Sequence, residues 1–258
     1  MVELCALADG LIRATLGTRD PVRAQFEMNR EDYLSRIATL HKRFREHEDA
    51  KRIFLAALEW VGVDLGRTCW DWLYLRALPS GGEYASGRAA KLGVHRDTWS
   101  SNVYSQTNWW APIYPIAVGR TLAFYPAYWS RPLKNISGAW DLDEVRARRR
   151  AGDPVSLVPE PDEPVDAASE FRIVIEPGDL LCFSGAHLHA AVPNTTGLTR
   201  FSVEVRTVDA GDAALNVGAP NVDGEAPRTA SGWFRGILDG KLLPEVMAAR
   251  DFDDRRVV

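Results

Sequence analysis

Cysteine is scarce in this chain: there are three in 258 residues, Cys5, Cys69 and Cys182, none in a CxxC pair. Isolated and odd in number, they argue against a disulfide framework and a thiolate zinc site, so any metal must be held by histidine and carboxylate. Long apolar runs are missing too. The segment 53–63 (IFLAALEWVGV) falls far short of the roughly 20 residues a membrane span needs. The acidic start MVELCALADG has no basic n-region, and the expectation is a cytoplasmic protein with no membrane partner. Nor is there a basic excess: with 31 Lys+Arg against 35 Asp+Glu and a net charge of −4, nothing supplies the positive field that a nucleic-acid partner needs. No internal repeat or low-complexity tract stands out. Histidine is also rare, five in all, and three of the five, His95, His187 and His189, fall in two short segments.

What is present is enough apolar residue, 46%, for one sizeable core. Residues 1–65 read as a helical N-terminal layer. Asn29 is placed to cap 29–47, where Tyr33, Ile37, Leu40 and Phe44 recur at helical spacing, and 49–62 continues the period. His41 and His47 lie there with no chemistry expected of them. From residue 70 the composition changes. Runs at 70–78, 103–116, 121–125, 171–175, 180–183 and 200–208 are short, aromatic and β-branched, bounded by Gly, Pro, Asn or Asp. Short strands without helices between them favour an antiparallel sandwich or barrel. The expected fold class is therefore mainly β with helical decoration (α+β), one domain over 1–258 with a β core at 70–208. Segment 141–170 is dense in charge and proline and reads as a solvated surface excursion, with a lid over the site as the alternative. Residues 209–258 form a C-terminal extension with one short helix within 231–250.

His95-Arg96-Asp97 is an H-x-D unit, and period-two geometry at a strand end would put His95 and Asp97 on one side of the chain. Segment 176–206 then supplies a turn, a strand, a histidine, a loop and an arginine-bearing strand. Two imidazoles and one carboxylate make the facial triad of non-haem Fe(II) sites, which keeps coordination positions open for chemistry. His187 and His189 alternate onto one strand face. We take His189 as the ligand: it precedes Asn194 by five residues and Arg200 by eleven, a loop-back that lets the next strand bring a guanidinium into the same mouth. Arg200 suits bidentate clamping of a carboxylate, and Ser202, on the same face, adds a hydroxyl. His187 reads as a packing or outer-sphere histidine.

In this order (His95 and Asp97, then PGDLLCFSG at 177–185, then His189, then Arg200 with Ser202), residues 70–208 resemble the Fe(II)/2-oxoglutarate-dependent dioxygenases, and within them the phytanoyl-CoA dioxygenase-like family. The resemblance implies a double-stranded β-helix (jelly roll, cupin-like) core, with the N-terminal helices packed on it. Iron would be held by His95, Asp97 and His189. The keto-acid end of 2-oxoglutarate would chelate the iron, its distal carboxylate would be received by Arg200 and Ser202, and O2 would be the oxidant. It further implies that the strand carrying Gln106, Asn108 and Trp110 lines the pocket, Asn108 and Trp110 on the co-substrate and Gln106 towards the substrate.

Trp99 and Tyr104, in the aromatic stretch after the H-x-D, are expected near the substrate, and Arg206 or Arg76 is expected to read an anionic substrate group. The chain departs from the family where LAFYPAYWSRPLKNISG stands in place of a PGSH-type turn, which argues against an acyl-CoA substrate. Asp97 leaves no vacancy for chloride, so hydroxylation of a small molecule, with succinate and CO2 released, is favoured over halogenation. By analogy the setting is secondary metabolism or amino-acid modification. Two other classes stay open. One is a cupin-type isomerase or lyase using the same ligands without 2-oxoglutarate, against which the Arg200-x-Ser202 placement argues; the other is a non-catalytic jelly-roll binding protein. The oligomeric state is not readable.

Overall fold

The first three helices of this computed structural model, which describes residues 1–84, 93–153 and 155–248, are α1 (Val2–Leu16), α2 (Arg30–Arg45) and α3 (Glu48–Trp60). The end of the expected C-terminal extension, 249–258, and Pro154 of the charged excursion lie outside the described residues. Local chemistry sets the helix limits. Asn29 caps α2 by accepting the Asp32 backbone N–H, with acids in the first turn and Lys42, Arg43 and Arg45 in the last. α1 ends at Gly17, whose φ of 70° is left-handed. Each helix buries one stripe: Leu4, Ala8 and Ile12; Tyr33, Ile37, Leu40 and Phe44; Ile53, Phe54 and Leu58. These stripes join the outward side chains of a sheet, Leu75, Ala77, Phe201, Val203 and Val205, in one core. Phe44 is fully buried in it. Phe44→Ala is expected to cost about 3–5 kcal/mol, and Asn29→Ala about 1 kcal/mol, both read from urea denaturation midpoints.

The remaining elements, in chain order, are β1 (Thr68–Trp70), β2 (Tyr74–Leu78), α4 (Thr98–Ser101), β3 (Gln106–Pro112), β4 (Leu122–Phe124), α5 (Leu142–Arg150), β5 (Phe171–Ile173), β6 (Leu181–Ser184), β7 (His189–Ala191), β8 (Arg200–Asp209), α6 (Ala210–Ala214), β9 (Arg235–Gly236) and α7 (Leu243–Ala248). The larger sheet runs β6-β3-β8-β1-β9, with β2 also on β8, and the smaller runs β5-β4-β7. Every pairing is antiparallel. His95 extends the smaller sheet, exchanging both backbone hydrogen bonds with His189 at 2.9 Å. The sheets face each other across an interior where Phe124 meets Phe183 edge-on at 4.9 Å, and Trp110 and Leu122 pack alongside. This is the expected jelly-roll core, with the N-terminal helices on the outer face of its larger sheet. Among the described residues no helix is long and apolar enough to cross a membrane.

Two elements differ from the sequence expectation. The run 70–78 is two strands, not one. Both pair with β8, but between Trp70↔Thr207 and Tyr74↔Glu204 three residues face two, a bulge. Asp71 makes it: its N–H donates to Arg206 O, and its carboxylate takes the Arg206 N–H that a regular ladder would use. The excursion 141–170 is also more than a loop. Asp141 caps α5 by accepting the N–H groups of Asp143 and Glu144, and Trp140, Val145 and Val158 are buried beneath it.

Candidate metal centre

The interior between the sheets holds a cavity whose wall includes His95, Asp97 and His189. The two histidines arrive on adjacent backbones, through the bridge between residue 95 and β7. Asp97 arrives differently from the period-two expectation. The chain leaves the bridge after His95 and turns into α4, so that Asp97 stands at the helix N-terminus with helical backbone angles of −62° and −31°. His95 Nε2 lies 3.7 Å from Asp97 Oδ1 and His189 Nε2 lies 3.9 Å from Asp97 Oδ2. One ligand atom from each of the three residues falls within 4.8 Å of the others, and all three side chains are buried.

The second-layer contacts point these groups inward. Each Nδ1–H donates to a backbone carbonyl, His95 to Gly93 at 2.8 Å and His189 to His187 at 2.9 Å. That fixes the tautomer and leaves both Nε2 lone pairs facing the carboxylate. Asn108 donates its amide N–H to Asp97 and accepts one from Gln106 at 2.8 Å. Arg206 Nε lies 3.5 Å from the other Asp97 oxygen, and Arg206 Nη1 bonds Asp71 at 3.0 Å. Burial works to raise the Asp97 carboxyl, but Arg206 and the two histidines outweigh it and hold Asp97 well below the usual carboxylate range. Burial, joined by neighbouring His95, pushes His189 down to about 4, so its imidazole is neutral at pH 7 and free to ligate. Two imidazoles and one carboxylate, with no thiolate, fit a divalent iron better than a structural zinc site.

Arg200 and Ser202 sit on the inward face of β8. Arg200 donates from Nη1 to Thr121 O at 2.8 Å, and its carbon Cζ lies 5.7 Å from the Trp110 ring centre. Burial, with Arg76 nearby, lowers Arg200 to about 10. Its Nε and the Ser202 hydroxyl are buried with no hydrogen-bond partner among the described residues. A buried guanidinium edge and hydroxyl left open together on one strand are a cradle for an anion's oxygens.

The other expected residues divide. Asn108, Trp110 and Arg206 line the same cavity, though Asn108, with Gln106 behind it, is engaged with Asp97, and Arg206 is engaged by Asp71 and Asp97. Arg76 pairs with Glu204 at 3.4 Å. Trp99 lies behind the site, fully buried among Tyr125, Tyr128 and Leu188, its indole N–H on Asp223 at 2.7 Å. Tyr104 lines a separate cavity beside 216–221. His187 sits in the turn after β6 with its ring on Trp129 at 4.4 Å, outside the triad.

Sequence reasoning missed two groups. Asp71 is one; its only signal was a carboxylate inside an otherwise aromatic and aliphatic run. Arg96, the middle residue of H-x-D, is the other: it donates to the carbonyls of Ala186 and Tyr128, both at 2.6 Å, and pairs with Asp223, tying together the loops that carry the ligands.

No family model and no curated protein matches the chain. Solved structures with similar folds include EvdO2 from Micromonospora carbonacea var. aurantiaca complexed with 2-oxoglutarate, at 16% identity and TM-score 0.44 over 64% of this chain and 61% of that one. The non-haem monooxygenase ThoJ, in its apo form, matches at 15% identity and TM-score 0.49 over 97% and 93%. The epimerase SnoN in complex with Fe3+, alpha ketoglutarate and nogalamycin RO matches at 18% and 0.37 over 66% and 59%. The chain thus spans about three fifths of EvdO2 and SnoN, and what it does must be argued from its own site.

Proposed function

We propose that this protein is a non-haem Fe(II)/2-oxoglutarate-dependent oxygenase that oxidises, most directly by hydroxylation, a C–H bond of a small molecule in secondary metabolism or amino-acid modification. One observation carries the reading: a buried two-histidine, one-carboxylate set shares its cavity with a buried arginine whose Nε has no partner, and the Ser202 hydroxyl beside that arginine has none either. His95, Asp97 and His189 would hold the iron. Arg200 and Ser202 would receive the distal carboxylate of 2-oxoglutarate. Bound together, Fe(II) and 2-oxoglutarate supply the activation of O2, with succinate and CO2 as co-products.

The charges close without residue. Neutral imidazoles, one Asp97 carboxylate, a divalent cation and the Arg200 guanidinium leave two positive charges, which the 2-oxoglutarate dianion neutralises. Asn108 and Arg206 hold Asp97 ionised and oriented, while Leu122 and Phe183 keep the cavity wall apolar and exclude water. The Arg200 and Ser202 pair argues against a cupin-type isomerase or lyase that works without 2-oxoglutarate, and the intact His95, Asp97, His189 and Arg200 set argues against a non-catalytic binding protein. Three cysteines outside any disulfide suit a reducing compartment, and we place the protein in the cytoplasm.

The test is anaerobic addition of Fe(II) and 2-oxoglutarate, followed by air. A visible charge-transfer band from the chelate, then succinate release, is the expected result. Metal binding without the band, and without succinate, would return the protein to the non-oxidative class.

A further inference from the structure

Beside the metal cavity lies a second one of about 910 Å³, a groove walled by Phe124, Trp129, Phe171, Leu181, Phe183 and His187. It opens where the two sheets fail to close: β5 is an edge of the smaller sheet and β6 an edge of the larger. Period-two alternation aims Phe171 and Ile173 from one edge, and Leu181 and Phe183 from the other, into the gap. The rings stay partly in water, Phe171 58% and Trp129 37% exposed, an apolar surface that a solvated protein gains nothing by displaying.

The groove lies against the metal cavity. Phe183 lines both cavities, and the rings of Phe124 and Phe183 lie 5.9 and 5.1 Å from that of ligand His189. A molecule seated there has its inner end against the wall of the triad.

The lining chemistry selects the occupant. Among the described residues, no lysine, arginine, aspartate or glutamate lines the groove. At its rim, Glu170 and Arg172 pair with each other at 2.5 Å, and Glu170 also accepts from the Tyr125 hydroxyl. Nothing here receives a carboxylate, phosphate or ammonium. The walls are aromatic faces and edges, Phe124 against Phe183 and Trp129 tilted over His187 at 4.4 Å, which favour a flat ring system over a flexible chain. One polar feature faces this space. The His187 Nδ1 is directed at Ser184 O, 3.2 Å away, and must be the N–H there, so its Nε2 is an acceptor.

The geometry points to this groove as the substrate site of the proposed oxygenase, taking an uncharged, planar aromatic or polycyclic molecule whose ring hydroxyl donates to His187. This rests on the oxygenase reading for its consequence, but its test does not. Binding is measured on metal-free protein by ligand-observed NMR with 2-naphthol, naphthalene and 2-naphthoate. We expect 2-naphthol to bind at least about tenfold more tightly than 2-naphthoate, because the groove has no cation to offset burial of the carboxylate. His187→Phe keeps the ring stack and deletes the acceptor; it should bring 2-naphthol down to the affinity of naphthalene while leaving naphthalene unchanged, a result that mere loosening of the groove would not give. Phe171→Ser, at an exposed ring, keeps the fold and should weaken both neutral probes. Equal or better binding of 2-naphthoate, or indifference of 2-naphthol to both variants, overturns the assignment. Failure of the charge-transfer band with these binding results intact would instead overturn the oxygenase reading alone.

Discussion

In a His189→Ala protein, Fe(II) binding is lost, whereas His187→Ala retains most of it. The two residues are two apart in sequence, yet only His189 brings an imidazole Nε2 to the Asp97 carboxylate, while the His187 ring is spent on Trp129. Removing the outer hydrogen-bond partner of a metal ligand costs about 10–100-fold in affinity, and deleting one of three ligands must cost more. The expected order of loss is therefore His189→Ala and Asp97→Ala beyond about 100-fold, Asn108→Ala within that range, and His187→Ala least. Anaerobic Fe(II) titration against a competing chelator reads this order directly. Folding does not confound it. His189 sits at the head of β7, followed by Ala190 and Ala191, and its pairing with His95 is through backbone groups that alanine keeps. Tight binding by His189→Ala with loss in His187→Ala would reassign the ligand.

The grouping of His95, Asp97 and His189 was legible in the sequence because it rests on rare residue types in a fixed order. Histidine is scarce enough that two short segments carry every histidine outside the N-terminal helical layer. Alternation along β8 puts Arg200, Ser202, Glu204 and Arg206 on one face, of which Arg200, Glu204 and Arg206 line the metal cavity, and packs Phe201, Val203 and Val205 with the helices. The N-terminal layer was legible for a parallel reason, a helical period with a capping asparagine.

What escaped the sequence depends on partners far along the chain or on short irregular turns. Asp71 looks like a polar interruption of one strand. Its meaning appears only when Arg206, 135 residues away, arrives beside it and links it to Asp97. Trp99 and Tyr104 are expected near the substrate because they fall in the aromatic stretch after the H-x-D, but α4 and the left-handed Asn102, with φ of 51°, turn the chain there. Trp99 turns back into the core and Tyr104 faces another cavity. Four residues of helix carry no readable period.

Arg200→Met should separate stability from function with opposite signs. In the protein without co-substrate, Arg200 is a fully desolvated cation with one hydrogen bond, to Thr121 O, an unpartnered Nε and another cation, Arg76, close enough to lower its pKa. Its carboxylate neighbour on β8, Glu204, is shared with Arg76. Replacing an imperfectly compensated buried charge by an apolar side chain of similar length is neutral to stabilising, by up to about 4 kcal/mol, so the melting temperature of the metal-free variant should match or exceed that of the parent. The same substitution removes the partner of a buried carboxylate and is expected to weaken 2-oxoglutarate binding by about 2–5 kcal/mol, a loss of tens to thousands of fold. Arg200→Lys keeps a charge but not the planar fork, and should fall between the two. Thermal melts with and without Fe(II) and 2-oxoglutarate check both signs at once. The parent should gain stability on adding the pair, as mass action requires of any ligand bound only by the folded state, and Arg200→Met should gain only what the metal gives. A variant that is less stable when empty, yet still stabilised further by 2-oxoglutarate, would show that Arg200 is a structural cation and that the co-substrate is held elsewhere.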